Sequence, residues 1–545
     1  MRPAEPNLIP ETAATRSTGP TVTAERPSAA PAEVGRTDAE GRGGTPPAGV
    51  EPPGVSAAEG SEPPKARSLR ERAVRGSVLW LSVYAVLQVI RLGSNFALMA
   101  LLTPAMFGVV RLATVMVQGL KMFSEVGIRH SIIRHERGDD PDFLNTAFTM
   151  QAGRGVILWL IASLLAWPMA AFYEESMLLF IMPAVAIGAL FGGFYSTSFA
   201  TLNRHLDEGP RARLELYQTV VTRTVMIGWA FIWPSAWALV AGTLIGNLFF
   251  LIYSHTALPG IRNRLHWDPQ AAREIWAFGL WILIGTIIAF FGQQLDSLML
   301  GKLEAMAALG VYGIALTVAR LPLELTSQIT VHILYPVMSE INRNDAARFA
   351  QRVKKIRSAV LAAGLCMTLG VIVAAPWFFR LFQMQWWDIT WIAPLSALAV
   401  WVMIANGSVN RALLTLGKSR PLALSGLIRV IVTGLACYFG YVLGGVPGFI
   451  IGVALGALAE HLFDHVVLLR NGVNFLTQDI AYTTGFLAAA AAGYMLTTEA
   501  AAAFGDPTHQ ILAGAAASVL VMLVVGGWAA WKTLPLVLNR PKGTA

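Results

Sequence analysis

The sequence predicts an all-α polytopic membrane protein with about 14 transmembrane helices. These form two parallel six-helix lobes plus two extra helices, preceded by a disordered N-terminal tail. Three observations support this prediction: consecutive apolar runs of span length, basic residues confined to alternate loops, and an internal repeat. Of 545 residues, 55% are hydrophobic and 14% are charged, with a mean hydropathy of +0.55. Soluble chains average about 25% charged residues, so this composition excludes a soluble globular protein.

Residues 1–75 differ from the rest because they are rich in Pro, Ala, Gly, Glu and Thr and contain no apolar run. Such a segment buries too little apolar surface to offset its ordering entropy, so we expect a disordered cytoplasmic tail. No apolar stretch follows Met1, so we expect this segment not to be a signal peptide. The tail closes with basic residues suited to the anionic lipids of the cytoplasmic leaflet, namely Lys65, Arg67, Arg70, Arg72 and Arg75.

The rest of the chain divides into apolar runs of membrane-spanning length. A helix needs about 20 mainly apolar residues to cross the hydrocarbon core. The eighth run is long for one span, and we expect it to continue beyond the membrane. The predicted spans are 78–102, 106–128, 147–172, 177–201, 214–235, 237–258, 276–300, 305–336, 357–380, 389–415, 421–442, 446–469, 476–497 and 509–534.

The loop charges set the orientation of these spans. With the N-terminus inside, the inside segments hold about 26 Lys and Arg residues against about 2 outside, namely Lys302 and Arg380. A missed or extra span would reverse this bias for every later loop. The pattern therefore predicts an even number of spans with both termini cytoplasmic. It also explains the net charge of +8 without a nucleic-acid partner.

Parts of the first six spans recur in the next six. The sixth and twelfth spans match at an offset of 210, and sequence around the second span recurs in the eighth. This predicts an N-terminal lobe at 76–275, a C-terminal lobe at 276–470 and two additional helices with a short tail at 471–545. Substrate is expected between the lobes. The clearest match pairs Gly242, Gly246 and His255 with Gly452, Gly456 and His465.

Four spans carry polar side chains at helical spacing, which places each set on one face. By the repeat, the first and second spans correspond to the seventh and eighth, so the stripes predict a shared central cavity. The stripes are Tyr84, Gln88, Arg91 and Asn95; Arg111, Thr114, Gln118, Lys121 and Glu125; Gln293, Asp296 and Ser297; and Arg320, Glu324 and Gln328.

The chemistry of these stripes indicates anion capture. A charge near the bilayer centre costs about 2.5–3.5 kcal/mol, so it is kept where it faces a wet cavity or a partner. Guanidinium stays charged and its fork of donors matches phosphate oxygens, while amides suit sugars. We expect substrate binding by Arg91, Arg111, Arg320, Gln88, Asn95 and Gln118, and candidate ion coupling by Asp296, Glu324 and Glu125.

For several of these charged residues, a structural role remains an alternative to substrate binding or ion coupling. Arg320 and Glu324 have the spacing of an intrahelical pair. Arg111, Lys121 and Glu125 lie near the ends of their span, where long side chains extend toward the interface. Arg91 lies mid-span with no carboxylate within one turn, so a structural role explains it least well.

We interpret the other polar residues in the spans as structural. Arg223 and Arg429 take similar depths in the two lobes and are read as interhelical contacts. His461 and His465 with Asp464 sit at a cytoplasmic helix end, where capping or pairing is favoured over metal binding. The sequence predicts no catalytic residue, metal or cofactor, and it contains no ATP-binding motif.

Several segments of the predicted spans and loops together form a familiar pattern. They are Leu102–Gly108 with Phe123–Gly127, Asp296–Gly301 with Leu309–Gly313 and Tyr335–Met338, and Trp237–Gly242. These segments resemble the Wzx-type polysaccharide flippases of the multidrug/oligosaccharidyl-lipid/polysaccharide exporter superfamily. The similarity covers most of 75–470 and excludes the tail.

The resemblance implies two six-helix lobes in a V and transport by alternating access. The implied cargo is an oligosaccharide on polyprenyl diphosphate, moved from the cytoplasmic to the periplasmic leaflet of the bacterial inner membrane. The protein would then be no enzyme, and its partners would include a polysaccharide polymerase and export machinery. Family members have a cationic cavity, which Arg91, Arg111 and Arg320 would supply here.

Three other functions remain as alternatives. A multidrug exporter of the same superfamily would need a carboxylate-rich cavity, whereas the deep charges here are mostly arginine. A membrane glycan polymerase or ligase would carry a large periplasmic loop, and the loops predicted outside are short. A peptidoglycan-precursor flippase of the same superfamily is the third.

Overall fold

The computed structural model describes residues 69–125, 127–205 and 208–538. Within these ranges every regular element is a helix and no strand occurs. The first helix begins at Leu69, so residues 69–75 of the predicted tail are helical, while 1–68 lie outside the described residues. The tail residues Lys65 and Arg67, and the C-terminal Arg540 and Lys542, also lie outside them.

In the part of the chain that the structure describes, seventeen α-helices follow one another, joined by short loops. A π-helical turn at Thr330–Leu334 connects α11 to α12. The helices are α1 Leu69–Leu101, α2 Pro104–Phe123, α3 Ile128–Arg134, α4 Pro141–Tyr173, α5 Leu178–Gly193, α6 Ser198–Arg204, α7 Glu208–Ile232, α8 Ala236–Thr256, α9 Pro269–Leu303, α10 Met306–Ala319, α11 Leu321–Ile329, α12 Tyr335–Asn344, α13 Phe349–Phe378, α14 Ile389–Thr415, α15 Ser419–Arg470, α16 Leu476–Ala502 and α17 Pro507–Leu538.

These helices confirm a multi-pass membrane fold. Within the described ranges ten segments are long and apolar enough to cross a membrane, or eleven if α5 and α6, bent by 62°, count as one span. The 52-residue α15 breaks at Gly444 and Gly445 into two arms, where Gly445 takes a φ of 60°. The arms of α15, together with α7 and α9, account for the other predicted spans. Twelve of the 14 predicted spans each coincide with one helix or helix arm, whereas 177–201 covers α5 and α6, and 305–336 runs from α10 into α12.

Side-chain capping explains where α4 and α9 begin. Asp140 precedes α4 and its carboxylate accepts from the backbone N–H of Asp142, and Asp268 precedes α9 and accepts in the same way from Gln270. Each cap is followed by a proline at the first helical position, where its missing N–H is not needed.

Helix contacts occur in matching sets along the chain. In the first half α1 packs on α7, α2 on α5, and α4 on α5; in the second half α9 packs on α15, α10 on α14, and α13 on α14. The last two helices, α16 and α17, both pack on α13. This pairing accords with the repeat, while the division at residues 275 and 470 stays a prediction.

The two halves meet closely where α2 crosses α10. A Cβ on Gly108 would lie 1.8 Å from the carbonyl oxygen of Met306, and one on Gly310 would lie 1.9 Å from that of Pro104. Real Cβ atoms do not approach backbone oxygens this closely, so the crossing requires glycine in both helices. These are the glycines at which the second-span sequence recurs in the eighth span.

Candidate functional site

A cavity of about 380 Å³ lies where α1, α2, α7, α8, α9 and α10 converge, beside the glycine crossing. We call it the central cavity. The charged side chains among its described lining residues are all arginines, and no carboxylate lines it there. Its polar lining comprises Asn95, Arg111, Thr114, Gln118, Arg223, Thr243, Gln294, Thr317 and Arg320.

Arg111 is held in the cavity wall by contacts from α9 and α10. Its Nη2 donates to the Ser297 hydroxyl at 2.9 Å. A Cβ on Gly313 would lie 2.7 Å from the Arg111 Cδ, so glycine makes room for the side chain. The Arg111 Nε is buried and has no hydrogen-bond partner among the described residues. A buried donor without a partner is costly, so this atom is suited to a ligand that enters the cavity.

Arg320 contacts the buried carboxylate of Asp296. The Arg320 Nη2 lies 3.3 Å from Asp296 Oδ2, and the Tyr312 hydroxyl donates to the same oxygen at 2.8 Å. The Ser297 N–H donates to the other oxygen at 2.8 Å. Asp296 is 3% exposed, and these bonds replace the water it loses on burial. It lies behind the cavity wall and orients Arg320.

Glu324 pairs with the first helix and not with Arg320. Its Oε2 accepts from the Tyr84 hydroxyl at 3.0 Å and from the Gln88 Nε2 at 2.5 Å. The backbone keeps the i,i+4 geometry, because the Glu324 N–H donates to the Arg320 carbonyl at 2.9 Å. The two side chains nevertheless take different partners, Arg320 on Asp296 and Glu324 on α1, so the intrahelical ion pair does not form. Glu324 therefore fastens α11 to α1 across the two halves. We call this contact the α1–α11 latch.

The other arginines of the predicted site lie along α1 and α7. Arg91 is not among the lining residues of the central cavity, and its Nη1 lies 3.4 Å from the Gln88 Oε1. The Arg223 Nη1 donates to Asn95 Oδ1 at 2.9 Å, which joins α7 to α1. Arg223 thus has the interhelical contact expected from the sequence and, beyond that expectation, also lines the central cavity.

Glu125 lies away from the central cavity, although it is on the same stripe as Arg111. It forms an ion pair with Arg154 at 3.2 Å in a second cavity of about 540 Å³ among α2 to α6 and α8. We call this the lateral cavity. Lys121 also lines it. The residues of this stripe face two different cavities because the stripe extends along the whole length of α2. The start of α2 packs on α10, whereas its end lies beside α4.

Aromatic side chains cover one end of the central cavity. Phe107, which lines the cavity, packs edge to face on Trp386 with ring centroids 5.3 Å apart. The Trp386 indole N–H donates to the Met99 carbonyl at 3.0 Å. Phe96 packs on Phe378 at 4.8 Å. These contacts join α1 and α2 to the end of α13 and the segment after it. They were not predicted from the sequence, where the aromatic run at residues 377–391 could have indicated them.

A separate polar cluster joins α13, α15 and α16. His461 and His465 have Nε2 atoms 3.2 Å apart, and both approach Asp479 Oδ2, at 3.4 and 2.7 Å. Three such atoms suit a metal by distance. However, Arg357 contacts both oxygens of the same carboxylate, at 2.6 and 2.8 Å. We interpret the cluster as a buried ion pair with bonded imidazoles. The carboxylate beside the histidines is Asp479, not the Asp464 considered from the sequence.

Comparisons with known proteins match most of the chain. The family model described as "Polysaccharide biosynthesis protein" matches residues 97–390. The "Lipopolysaccharide biosynthesis protein WzxC" of Escherichia coli (strain K12) is 22% identical over 403 residues, covering 73% of this chain and 80% of that protein.

Two solved structures share the fold. A structure of lipid II flippase MurJ in an inward closed conformation aligns with a TM-score of 0.64 at 12% identity, covering 84% of this chain and 100% of that one. An inward-facing multidrug resistance MATE family transporter of the MOP superfamily aligns with a TM-score of 0.50 at 14% identity, covering 74% and 95%. At these identities the two structures establish a common architecture.

Proposed function

Because the chain belongs to the polysaccharide biosynthesis protein family of Wzx-type flippases, we propose that it moves a lipid-linked oligosaccharide across the membrane. The cargo is an oligosaccharide on polyprenyl diphosphate, carried from the cytoplasmic to the periplasmic leaflet for export of a cell-surface polysaccharide. The process is transport by alternating access, without covalent change to the cargo, so the protein is not an enzyme.

The charge of the central cavity carries this proposal. Its described lining has three arginines, Arg111, Arg223 and Arg320, and no carboxylate. A diphosphate is a polyanion whose oxygens suit guanidinium forks, and it needs such partners to leave water. Asn95 and Gln118 line the same space and supply amide groups for sugar hydroxyls. Arg91, one turn from Asn95 on α1, is a further candidate contact.

The contacts around the cavity suit alternating access. The α1–α11 latch depends on one acceptor atom, Glu324 Oε2, whereas the aromatic end is closed by several packed rings. The latch is thus the weaker closure. We propose that the halves pivot about the α2–α10 crossing. Asp296 and Glu324 are candidates for ion coupling, and the membrane potential acting on an anionic cargo is a second source of drive.

A multidrug exporter is the alternative that the MATE-like fold favours. Its cationic substrates would need carboxylates facing the cavity. The central cavity has arginines in those places, and its nearest buried carboxylate, Asp296, is already engaged by Arg320 and Tyr312. The positive charge of the central cavity therefore favours an anionic, lipid-linked cargo over a cationic drug.

We place the protein in the bacterial inner membrane with both termini in the cytoplasm, and its partners include a polysaccharide polymerase and export machinery. The confinement of Lys and Arg to alternate loops supports this orientation. Alkaline phosphatase fused to the C-terminus should be inactive, and fused after Glu175 it should be active. The opposite activities would reverse the orientation.

Gene deletion tests the flipping function. Loss of surface polysaccharide, with lipid-linked oligosaccharide trapped on the cytoplasmic leaflet, is expected, and the wild-type gene should restore both. Arg320→Gln and Arg91→Ala should fail to restore them at equal expression. Arg380→Gln, which changes an exposed arginine stacked on Trp377, is the matched control and should restore both. Normal sidedness after deletion, in a strain without a second flippase, would refute the proposal.

A further inference from the structure

The lateral cavity is formed by a break in the helix packing of the first half. Gly192 and Gly193 end α5, and the chain then bends by 62° into α6. These glycines and Gly155 of α4 line the space without side chains that would fill it. The resulting volume of about 540 Å³ exceeds the 380 Å³ of the central cavity. It is large enough to hold a phosphate-bearing group with its water.

The charge balance of this cavity is positive. Among the described residues, its lining holds the basic residues Lys121, Arg129 and Arg154 and one carboxylate, Glu125. Arg154 is fixed on the end of α2, because its Nε donates to the Ser124 hydroxyl at 2.9 Å and its Nη2 pairs with Glu125 at 3.2 Å. Glu125 is therefore engaged by Arg154 and forms no ion pair with Lys121.

Lys121 is the group that faces the cavity without a protein partner. Among the described residues its ammonium makes no hydrogen bond or ion pair. A half-buried ammonium usually has an acceptor, because its hydration is only partly retained. Hydrogen-bonding groups of Tyr195 and Asn247 line the same space and add neutral contacts.

We propose that the lateral cavity binds a phosphate-bearing anion and that Lys121 provides the charge that contacts it. The shared chemistry is a phosphate or diphosphate group, which is held by a point-charge ammonium and fixed guanidinium groups. Either a phospholipid headgroup or a free diphosphate would present it. The site is separate from the central cavity and does not depend on the flipping function.

Binding to the purified full-length chain tests the proposal in two arms. The first arm titrates inorganic pyrophosphate calorimetrically in a neutral detergent. The second arm measures phosphatidylglycerol retained by the protein, by native mass spectrometry after extraction from mixed phosphatidylcholine and phosphatidylglycerol vesicles. Lys121→Gln should weaken binding roughly ten- to a hundredfold, because it removes one charge-assisted hydrogen bond to the anion. Lys121→Arg should retain binding.

Controls separate this site from other basic residues. Lys302→Gln changes an exposed lysine paired with Glu174 and should leave binding unchanged. Glu125→Gln removes the carboxylate of the cavity and should tighten binding, which keeps the proposal testable if Lys121→Gln does not fold.

The outcomes then identify the source of the anion or overturn the site. Pyrophosphate binding that depends on Lys121 indicates a free or cargo diphosphate, and lipid retention alone that depends on it indicates a headgroup. Anion binding that survives Lys121→Gln but is lost in Arg320→Gln would place the ligand in the central cavity and overturn the proposal. Binding of neither probe would overturn it as well.

Discussion

Replacing Gly310 by alanine tests the helix crossing on which the central cavity depends. The new Cβ would lie 1.9 Å from the Pro104 carbonyl oxygen and 3.0 Å from the Gly108 nitrogen. Both neighbours are backbone atoms, which no rotamer change can move. Relief therefore requires α2 and α10 to separate by about 1 Å, and overpacking of this kind costs about 1–3 kcal/mol.

Gly153→Ala is the matched control for this change. Gly153 also lies within a helix, α4, but a Cβ there meets nothing within 4 Å. Both substitutions gain about 1 kcal/mol in helix propensity, so the difference between the variants isolates the steric clash. The protein has 16 tryptophans, so thermal unfolding in detergent can be followed by their fluorescence.

We expect Gly310→Ala to unfold at a lower temperature than Gly153→Ala and to lose transport. Loss of transport follows because Gly313, one turn further along α10, forms the wall against which Arg111 packs. If the two variants unfolded at the same temperature and both transported normally, the close crossing of α2 and α10 would be refuted.

Three further predictions concern single contacts. Arg357→Gln leaves the buried carboxylate of Asp479 without its guanidinium partner and should destabilise the fold by about 3–5 kcal/mol in thermal unfolding; an unchanged melting temperature would contradict the buried pair. Glu324→Ala removes the acceptor of the α1–α11 latch, so amide hydrogen exchange in α1 should speed up, and unchanged exchange would show that the latch does not hold α1. In the loop before α4, Arg137 donates hydrogen bonds to Asp140 and holds the pKa of that carboxyl below its usual range. The pair therefore stabilises the fold above the usual carboxyl pKa, near pH 4, and loses this effect as pH falls through the lowered value. Acidification should thus lower the unfolding temperature of the wild type more than that of Asp140→Asn, and equal losses would contradict this.

Much of the central cavity could be predicted from the sequence. Arg111, Gln118, Asn95 and Arg320 were expected to face a shared cavity, and all four line it. The prediction succeeded because helical spacing fixes which side chains share a face, and the repeat indicated which helices face each other. The roles of these residues in binding stay predictions.

Other parts of the site depend on tertiary packing that spacing cannot express. Glu125 shares a face with Arg111 but sits in another cavity, because a stripe over several turns meets different neighbours along its length. Glu324 bonds α1 because Tyr84 and Gln88 approach it from another helix, a tertiary contact that its i,i+4 spacing from Arg320 does not indicate. Asp479 was missed because nothing local in α16 indicates that it meets Arg357 from a segment 122 residues away.

Flipping by the purified protein in liposomes tests the central claim most directly. A fluorescent oligosaccharide on polyprenyl diphosphate would be reconstituted in one leaflet, and its appearance in the other would be measured by quenching with an impermeant reagent. We expect transfer by the wild type and by Arg380→Gln, and strongly reduced transfer by Arg111→Gln and Arg320→Gln with unchanged unfolding temperatures. Equal transfer by all four proteins would contradict a role for the central arginines, and no transfer above empty liposomes would contradict the flippase itself.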